Sequence, residues 1–357
     1  MPLTAEEKYR YSRHLLLEEV GLEGQEKLKK AKVLVVGAGG LGCPVLLYLA
    51  AAGVGTIGVI DFDTIDASNL QRQTLFSADD VGRSKAEVAK EKLNANNPFI
   101  DVIAYNEELT NKNALEIFST FDIIVDGTDN FHTRYMVNDA CLIANKPFVY
   151  GAVHKFEGQV SVFNYQEGPT YRCLFPTPPI AESIPSCSEV GVIGVLPGII
   201  GTQQANEVIK IILGIGNVLS GRLLIYNALQ SSFMEIKINK TSVEVYNKEE
   251  FLKFDYQGYC EVSIVLEKSI TLEELANLSS DIFVVDVRGV WEQPQLENKR
   301  ILHAPLQEID DYVKEIPTDK KVYFICQHGV RSKVAIEYLE KEYNFTNLIN
   351  VEGGMLG

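Results

Sequence analysis

Short apolar runs alternate with stretches of helical periodicity over the first two thirds of the chain. Residues 32–36 form one such run, followed by a glycine-rich turn and a helix of small residues over about 41–52. The next apolar run is 56–60. Short links between strand, helix and strand predict a parallel sheet, because a parallel crossover needs a helix to carry the chain back. The alternation goes on to predict helix 84–96, strand 100–105, helix 111–118, strand 121–126, helix 131–144 and strand 147–151. Strands near 158–164 and 222–237 flank a Gly/Pro-rich stretch and a helix over about 201–213, and residues of about 5–30 read as helices. Residues 1–245 thus read as one doubly wound α/β domain. The period fades over 246–265, read as a linker, and a smaller α/β domain follows over 266–357 with helix 271–278, strands 282–286 and 321–325, and helix 331–342.

Composition adds constraints rather than identity. A chain of 357 residues, 46% hydrophobic and 23% charged, suits two domains with buried cores. A net charge of −15 argues against a nucleic-acid partner. Thr4 and Glu7 have capping-box spacing, so the first residues read as a helix start and not as a targeting signal. The longest apolar stretch is broken by Gly191, Gly194, Pro197 and Gly198, which argues against a membrane span. Cys43, Cys141, Cys173, Cys187, Cys260 and Cys326 show no paired spacing and read as reduced thiols of a cytoplasmic protein. Cys43 and Cys141 fall in apolar helical stretches and are expected in the core.

The first candidate chemistry is Gly37-Ala38-Gly39-Gly40-Leu41-Gly42, between the first strand and the first helix. Glycines at this spacing allow a tight turn and a close approach of phosphate to helix-terminal amides. Asp61 ends the next strand nineteen residues after Gly42, where a carboxylate accepts from ribose hydroxyls. Alone, this pattern predicts an NAD-dependent oxidoreductase. The segment that follows carries Asn69, Arg72 and Gln73, for which a dehydrogenase offers no role. Lys85 falls in the first turn of a helix, where a cation opposes the helix dipole and calls for a nearby anion. Asp129 and Asn130 lie in Asp126-Gly127-Thr128-Asp129-Asn130, at the carboxyl edge of a strand where open α/β sheets bind ligands.

These segments, together with Tyr11-Ser12-Arg13-His14, resemble the adenylating domain of the family that contains ubiquitin-activating enzymes and the MoeB and ThiF proteins. The resemblance covers roughly residues 5–240. It implies a Rossmann-like adenylating domain that uses ATP and Mg²⁺ to adenylate the C-terminus of a ubiquitin-like sulfur carrier ending in Gly-Gly. By the same resemblance Gly39 and Gly40 approach the ATP phosphates, Asp61 holds the ribose, Asn69, Arg72, Gln73 and Lys85 contact phosphates, and Asp129 positions Mg²⁺. Arg13 matches a position that reaches a partner subunit's ATP, which implies a homodimer. Cys187 matches a cysteine on a crossover loop that forms covalent intermediates in some members. Many relatives hold structural zinc with two Cys-x-x-Cys pairs. Here Thr170 replaces the first cysteine, Cys173 alone survives, and no cysteine lies between 188 and 259, so no zinc is expected and Cys173 reads as a small buried thiol.

Farther along, Asp286-Val287-Arg288 ends a strand, with Glu292 following, and Cys326-Gln327-His328-Gly329-Val330-Arg331-Ser332 joins a strand to a helix. A cysteine there faces loop amides and the positive helix end, and Arg331 closes the cradle. This half resembles a rhodanese domain; such domains usually continue into another helix past 357, so either the domain is shortened or the sequence is truncated. Four residues separate Cys326 from Arg331. Related phosphatases use a longer loop, and the shorter ring suits sulfur transfer. A cysteine desulfurase or another sulfur donor is therefore an expected partner. The competing readings are the oxidoreductase and a non-catalytic docking protein with a vestigial ATP site. The carrier pathway, whether molybdopterin, thiamine or tRNA thiolation, is not written in these residues.

Overall fold

Three runs of apolar residues, buried on both faces, form the centre of the first sheet: β1 (Lys32–Val36), β2 (Thr56–Ile60) and β4 (Ile123–Asp126), with Val33, Leu34 and Val35 fully buried. Near-continuous apolar strands are what a parallel sheet covered by helices requires. The computed structural model describes residues 2–178, 191–242, 246–260, 268–278, 282–289, 292, 294 and 300–356, and the chain divides into two compact units after Tyr259.

In the first unit, β3 (Asp101–Tyr105), β5 (Phe148–His154), β6 (Glu157–Phe163), β7 (Arg222–Asn227) and β8 (Ser232–Lys237) complete an eight-stranded sheet in the order β3-β2-β1-β4-β5-β6-β7-β8. The strands from β3 to β5 pair in parallel; β5 to β8 form an antiparallel meander. Helices α1 (Ala5–Arg10), α2 (Ser12–Leu15) and α3 (Gly21–Lys30) precede β1, and Thr4 and Glu7 close the expected capping box. One core joins Val33, Val35, Val59 and Val125 to α4 (Gly42–Ala52), α5 (Lys85–Asn96) and α9 (Val195–Leu213). Helices α6 (Ala114–Ser119) and α7 (Phe131–Ala144) pack on each other, and α7 also meets β4 and β5.

Three differences from expectation have physical causes. Helix α9 begins at Val195 and not near 201, because Pro197 falls in its first turn, where an N–H has no helical partner to lose. Strands β5 and β6 extend into a hairpin, with Lys155 in the left-handed region at φ +53°. Part of the expected linker is folded: α10 (Lys248–Lys253) and α11 (Tyr256–Cys260) follow β8. A short helix α8 (Tyr171–Leu174) supplies Arg172, which donates to both oxygens of buried Asp139 at 2.8 and 2.7 Å. Tyr256 donates to the same carboxylate, and the Arg172 guanidinium lies against the rings of Tyr135, Tyr246 and Tyr259. Residues of the connector are thereby part of the first unit's packing.

The second unit has a parallel sheet in the order β11-β10-β12-β13-β9, built from β9 (Ser269–Thr271), β10 (Phe283–Asp286), β11 (Arg300–His303), β12 (Val322–Ile325) and β13 (Leu348–Glu352). Helix α12 (Leu272–Asn277) follows β9, and α13 (Ile309–Tyr312) follows β11. Helix α14 (Val330–Tyr343) contributes Ala335, Ile336 and Leu339 to the core around Val285 and Phe324. No helix among the described residues is long and apolar enough to cross a membrane.

Candidate active site

The turn after β1 is bent at Gly37, with φ +89°, and its N–H donates to the Ile60 carbonyl at 2.8 Å. A Cβ at Gly42 would stand 2.0 Å from the Gly37 carbonyl oxygen, so glycine is what lets α4 start against the strand end. Asp61 splints this turn. One carboxylate oxygen accepts from the Ala38 N–H at 2.8 Å, and the other accepts from the Asp63 N–H at 2.9 Å. Burial pushes the Asp61 carboxyl up, while Lys85 pulls it back towards the ionised form. Both oxygens have further lone pairs to offer.

Two further segments close on the same turn. The Arg72 Cγ and Pro197 lie 3.5 and 3.3 Å from the Cβ position of Gly40, and the Gln73 Nε2 lies 3.9 Å from that of Gly39. Gln73 is buried, and its Oε1 has no hydrogen-bond partner among the described residues. Arg72 donates to the Ser68 carbonyl at 3.3 Å, and Asn69 accepts from the Asp66 N–H in the 3₁₀ turn that precedes it. Lys85 is buried, with Nζ 2.8 Å from Asp63 Oδ2. The anion this lysine was expected to need is thus supplied within the chain.

On the other side, the Gly127 carbonyl oxygen lies 3.0 Å from the Cβ position of Gly37. The loop from Asp126 to Asn130 is held from within. Buried Asp126 accepts from Thr128 N–H, Thr128 Oγ1 and Arg134 Nε at 2.9, 2.6 and 3.0 Å. Arg134 also donates to the Thr128 and Gly151 carbonyls, and Gln204 of α9 donates to the Asp126 carbonyl at 2.7 Å. Asn130 caps α7 by accepting from the Thr133 N–H. Asp129 is exposed and hydrogen-bonded to none of the described residues. Arg13 stands exposed on α2, outside these contacts, and Cys187 lies outside the described residues.

The second unit carries its own turn. Cys326 follows β12, is fully buried, and its Sγ is 3.4 Å from the Ser332 hydroxyl. Arg331 donates to both oxygens of Glu292 at 2.7 Å. That hydrogen-bonded guanidinium, working against burial, holds the Glu292 carboxyl below the usual range. Arg288 is buried and bound to both oxygens of Asp286, with further bonds to the Pro294 carbonyl and Gln327 Oε1.

The ThiF family model matches residues 11–246. The chain is 41% identical to a probable adenylyltransferase/sulfurtransferase MoeZ of Mycobacterium tuberculosis, over 99% of this chain and 93% of that protein. It is 49% identical to a sulfur carrier protein adenylyltransferase of Thermus thermophilus, over 73% of this chain and 99% of that protein. Among solved structures, E. coli MccB with ATP aligns at a TM-score of 0.57 and 26% identity, over 67% of this chain and 74% of that one. This chain belongs to the ThiF family. It is an adenylyltransferase with the Rossmann-like fold of that family, and the oxidoreductase alternative is set aside.

Within this ThiF-family enzyme, the sequence pattern located the glycine turn, Asp61, Arg72 and Gln73 on one spot. It missed Asp63, Arg134 and Gln204, whose roles arise from contacts between distant segments. Cys173 is a correction. It is half-buried, and its sulfur is bound by the Thr170 and Thr241 N–H groups at 3.4 and 3.5 Å. Burial opposes the thiolate, yet the hydrogen bonds from Thr170 and Thr241 outweigh it and lower the thiol's range. Cys43 and Cys141 are core residues as expected, and burial pushes Cys43 up to about 12. Among the described residues, no group of three or more His, Cys, Asp or Glu is placed to hold a metal ion.

Proposed function

We propose that this enzyme adenylates the C-terminal glycine of a ubiquitin-like sulfur-carrier protein and passes sulfur to it through Cys326. The observation that supports it most is the meeting of three segments, 37–42, 69–73 and 126–130, at one glycine turn, with Arg72 and Gln73 against it. In the adenylation step the carrier carboxylate attacks the α-phosphorus of ATP; an O–P bond forms, the bond to the β-phosphate breaks, and pyrophosphate leaves. No general base is needed, because the nucleophile is already an anion. Arg72 and Lys85 offset the charge that grows on the phosphoryl oxygens, and Asn69 and Gln73 orient the phosphates. Asp129, a carboxylate hydrogen-bonded to none of the described residues, would hold Mg²⁺, and that ion would supply charge neutralisation beside the phosphates.

Cys326 then receives sulfur. Its thiolate attacks the outer sulfur of a donor persulfide, such as that of a cysteine desulfurase; the donor's S–S bond breaks and the donor leaves as a thiolate. The terminal sulfur of the Cys326 persulfide attacks the acyl-adenylate carbonyl and expels AMP. A second thiol, assigned here to Cys187, cleaves the resulting acyl disulfide to free the thiocarboxylate, and a cellular dithiol reduces the disulfide left behind. A reducing, cytoplasmic setting follows from that chemistry. Exposed Leu16, Leu17 and Leu22 near Arg13 in the sequence support a homodimer in which Arg13 serves the partner's site.

ATP–pyrophosphate exchange with Mg²⁺, with and without Gly-Gly carriers of the molybdopterin, thiamine and tRNA-thiolation types, tests the proposal. Exchange that depends on one carrier, falls at least a hundredfold in Asp129→Ala and persists in Cys326→Ala is the expected result. Exchange with no carrier, or exchange indifferent to Asp129, would sink it.

A further inference from the structure

The loop that carries Cys326 rests on the turn after β13. The Met355 N–H donates to the Cys326 carbonyl at 2.9 Å. A Cβ on Gly354 would stand 2.3 Å from that carbonyl oxygen and 2.7 Å from both the Gln327 carbonyl carbon and the Gly329 nitrogen. From the other side, a Cβ on Gly329 would stand 2.9 Å from the Gly353 nitrogen. Gly329 and Gly354 both hold left-handed backbone, at φ +82° and +61°. Two backbone turns therefore meet glycine to glycine, with no side chain between them. The contact requires that absence at both faces.

We propose that Gly354 and Met355 are positioning residues for the sulfur-bearing cysteine. They form a floor under the loop that fixes the direction of the Cys326 peptide. A carbonyl anchored backwards to Met355 leaves the following loop amides to face Sγ, where a thiolate or persulfide anion needs donors. The inference rests on Cys326 as the sulfur acceptor. It also separates two layers of the site: Arg331 and Glu292 close the loop from the helix side, whereas Gly354 and Met355 set its height from the sheet side.

The test uses the full chain and two variants. Gly354→Ala adds the Cβ that the contact excludes. Met355→Pro removes the donor N–H, in the first turn of a 3₁₀ helix where proline is tolerated, together with a side chain packed against the core around Leu275 and Val284. Two quantities are read at Cys326 by peptide mass: its rate of alkylation by iodoacetamide at neutral pH, and its gain of one sulfur from glutathione persulfide. Both are expected to fall about tenfold in each variant, a modest loss of amide stabilisation at the sulfur. ATP–pyrophosphate exchange should be unchanged. Folded variants with parental rates of alkylation and loading would overturn the floor. A parent protein that never loads sulfur would instead remove the sulfur-acceptor role, while alkylation still judges the floor. If both variants unfold, amide exchange in the parent decides: a Met355 N–H protected as strongly as the β12 amides supports the contact, and one that exchanges as fast as an exposed loop removes it.

Discussion

Two turns of this molecule look alike in backbone and differ in how their polar groups are satisfied. Gly37 and Gly329 each bend the chain at the carboxyl end of a parallel strand, with φ +89° and +82°, and each precedes a helix. Around the first turn, Asp129 and Gln73 Oε1 are hydrogen-bonded to none of the described residues, and Lys85 leans on an Asp63 side chain that is 51% exposed. Around the second, Arg331 is closed by Glu292 and Arg288 by Asp286. On the proposed function, the difference reflects what each turn handles. A nucleotide triphosphate brings many anionic oxygens, so the first turn keeps donors and a carboxylate available. A single sulfur atom brings little, so the second turn keeps both guanidiniums paired to carboxylates of the chain.

The sharpest way to break this comparison lies just beneath the first turn. Arg134 and Asp126 form a fully paired buried set under the available Asp129, and that pairing is structural. Arg134→Met would leave a buried carboxylate without its cation and should cost the first unit about 4 kcal/mol. Urea unfolding followed by far-ultraviolet circular dichroism measures it, and Arg134→Met with Asp126→Asn should recover part of the loss. A cost below about 1 kcal/mol would mean that Asp126 belongs to the ligand-binding groups and not to the frame.

A smaller effect tests the closed turn. Glu292→Gln leaves the buried Arg331 guanidinium with a neutral partner and should destabilise the second unit by about 2 kcal/mol. Its pH dependence has a defined sign. The folded-state Glu292 carboxyl is held low, so its stabilisation is complete above the ordinary value of 4.5 and is lost as pH falls through the lowered one. The variant should lose that acid-side dependence. Amide hydrogen exchange of β10 and β12 at acid and neutral pH reports the second unit. An unchanged acid limb in Glu292→Gln would show that the turn is not locked by this pair.

Much of the frame was legible before any coordinates, and the limits have physical causes. Strands β1, β2 and β4 read clearly because burial on both faces forces unbroken apolar runs. Strands β9 and β11 sit at the two edges of the second sheet, where Ser269, Thr271, Arg300 and His303 blur the pattern. The connector escaped because Tyr246, Tyr256 and Tyr259 gain their order from Arg172 and Asp139, far away in sequence. At the site, Gly37 to Gly42 and Asp61 lie within one strand–helix–strand unit, and local spacing reveals such a unit. Arg134 and Gln204 carry no such spacing, since from separate helices Arg134 reaches the Asp126 carboxylate and the Gly151 carbonyl, and Gln204 the Asp126 and Val149 carbonyls.

The finest test concerns Lys85, whose ammonium is paired with Asp63 and, in the proposed function, serves the phosphates. On that proposal Asp63 competes with phosphate for the same ammonium, and as a half-exposed carboxylate it holds that charge weakly. Asp63→Asn should therefore lower the KM for ATP about threefold, roughly 0.6 kcal/mol, with kcat for exchange nearly unchanged. The backbone contact through which Asp63 accepts from the Lys85 N–H stays in the variant, so the helix start is kept. Higher salt should shrink the difference, because the competition is screened at the surface. A raised KM would reverse the assignment: Asp63 would then be the group that aims Lys85 at the phosphates, and the first turn would be as internally organised as the second.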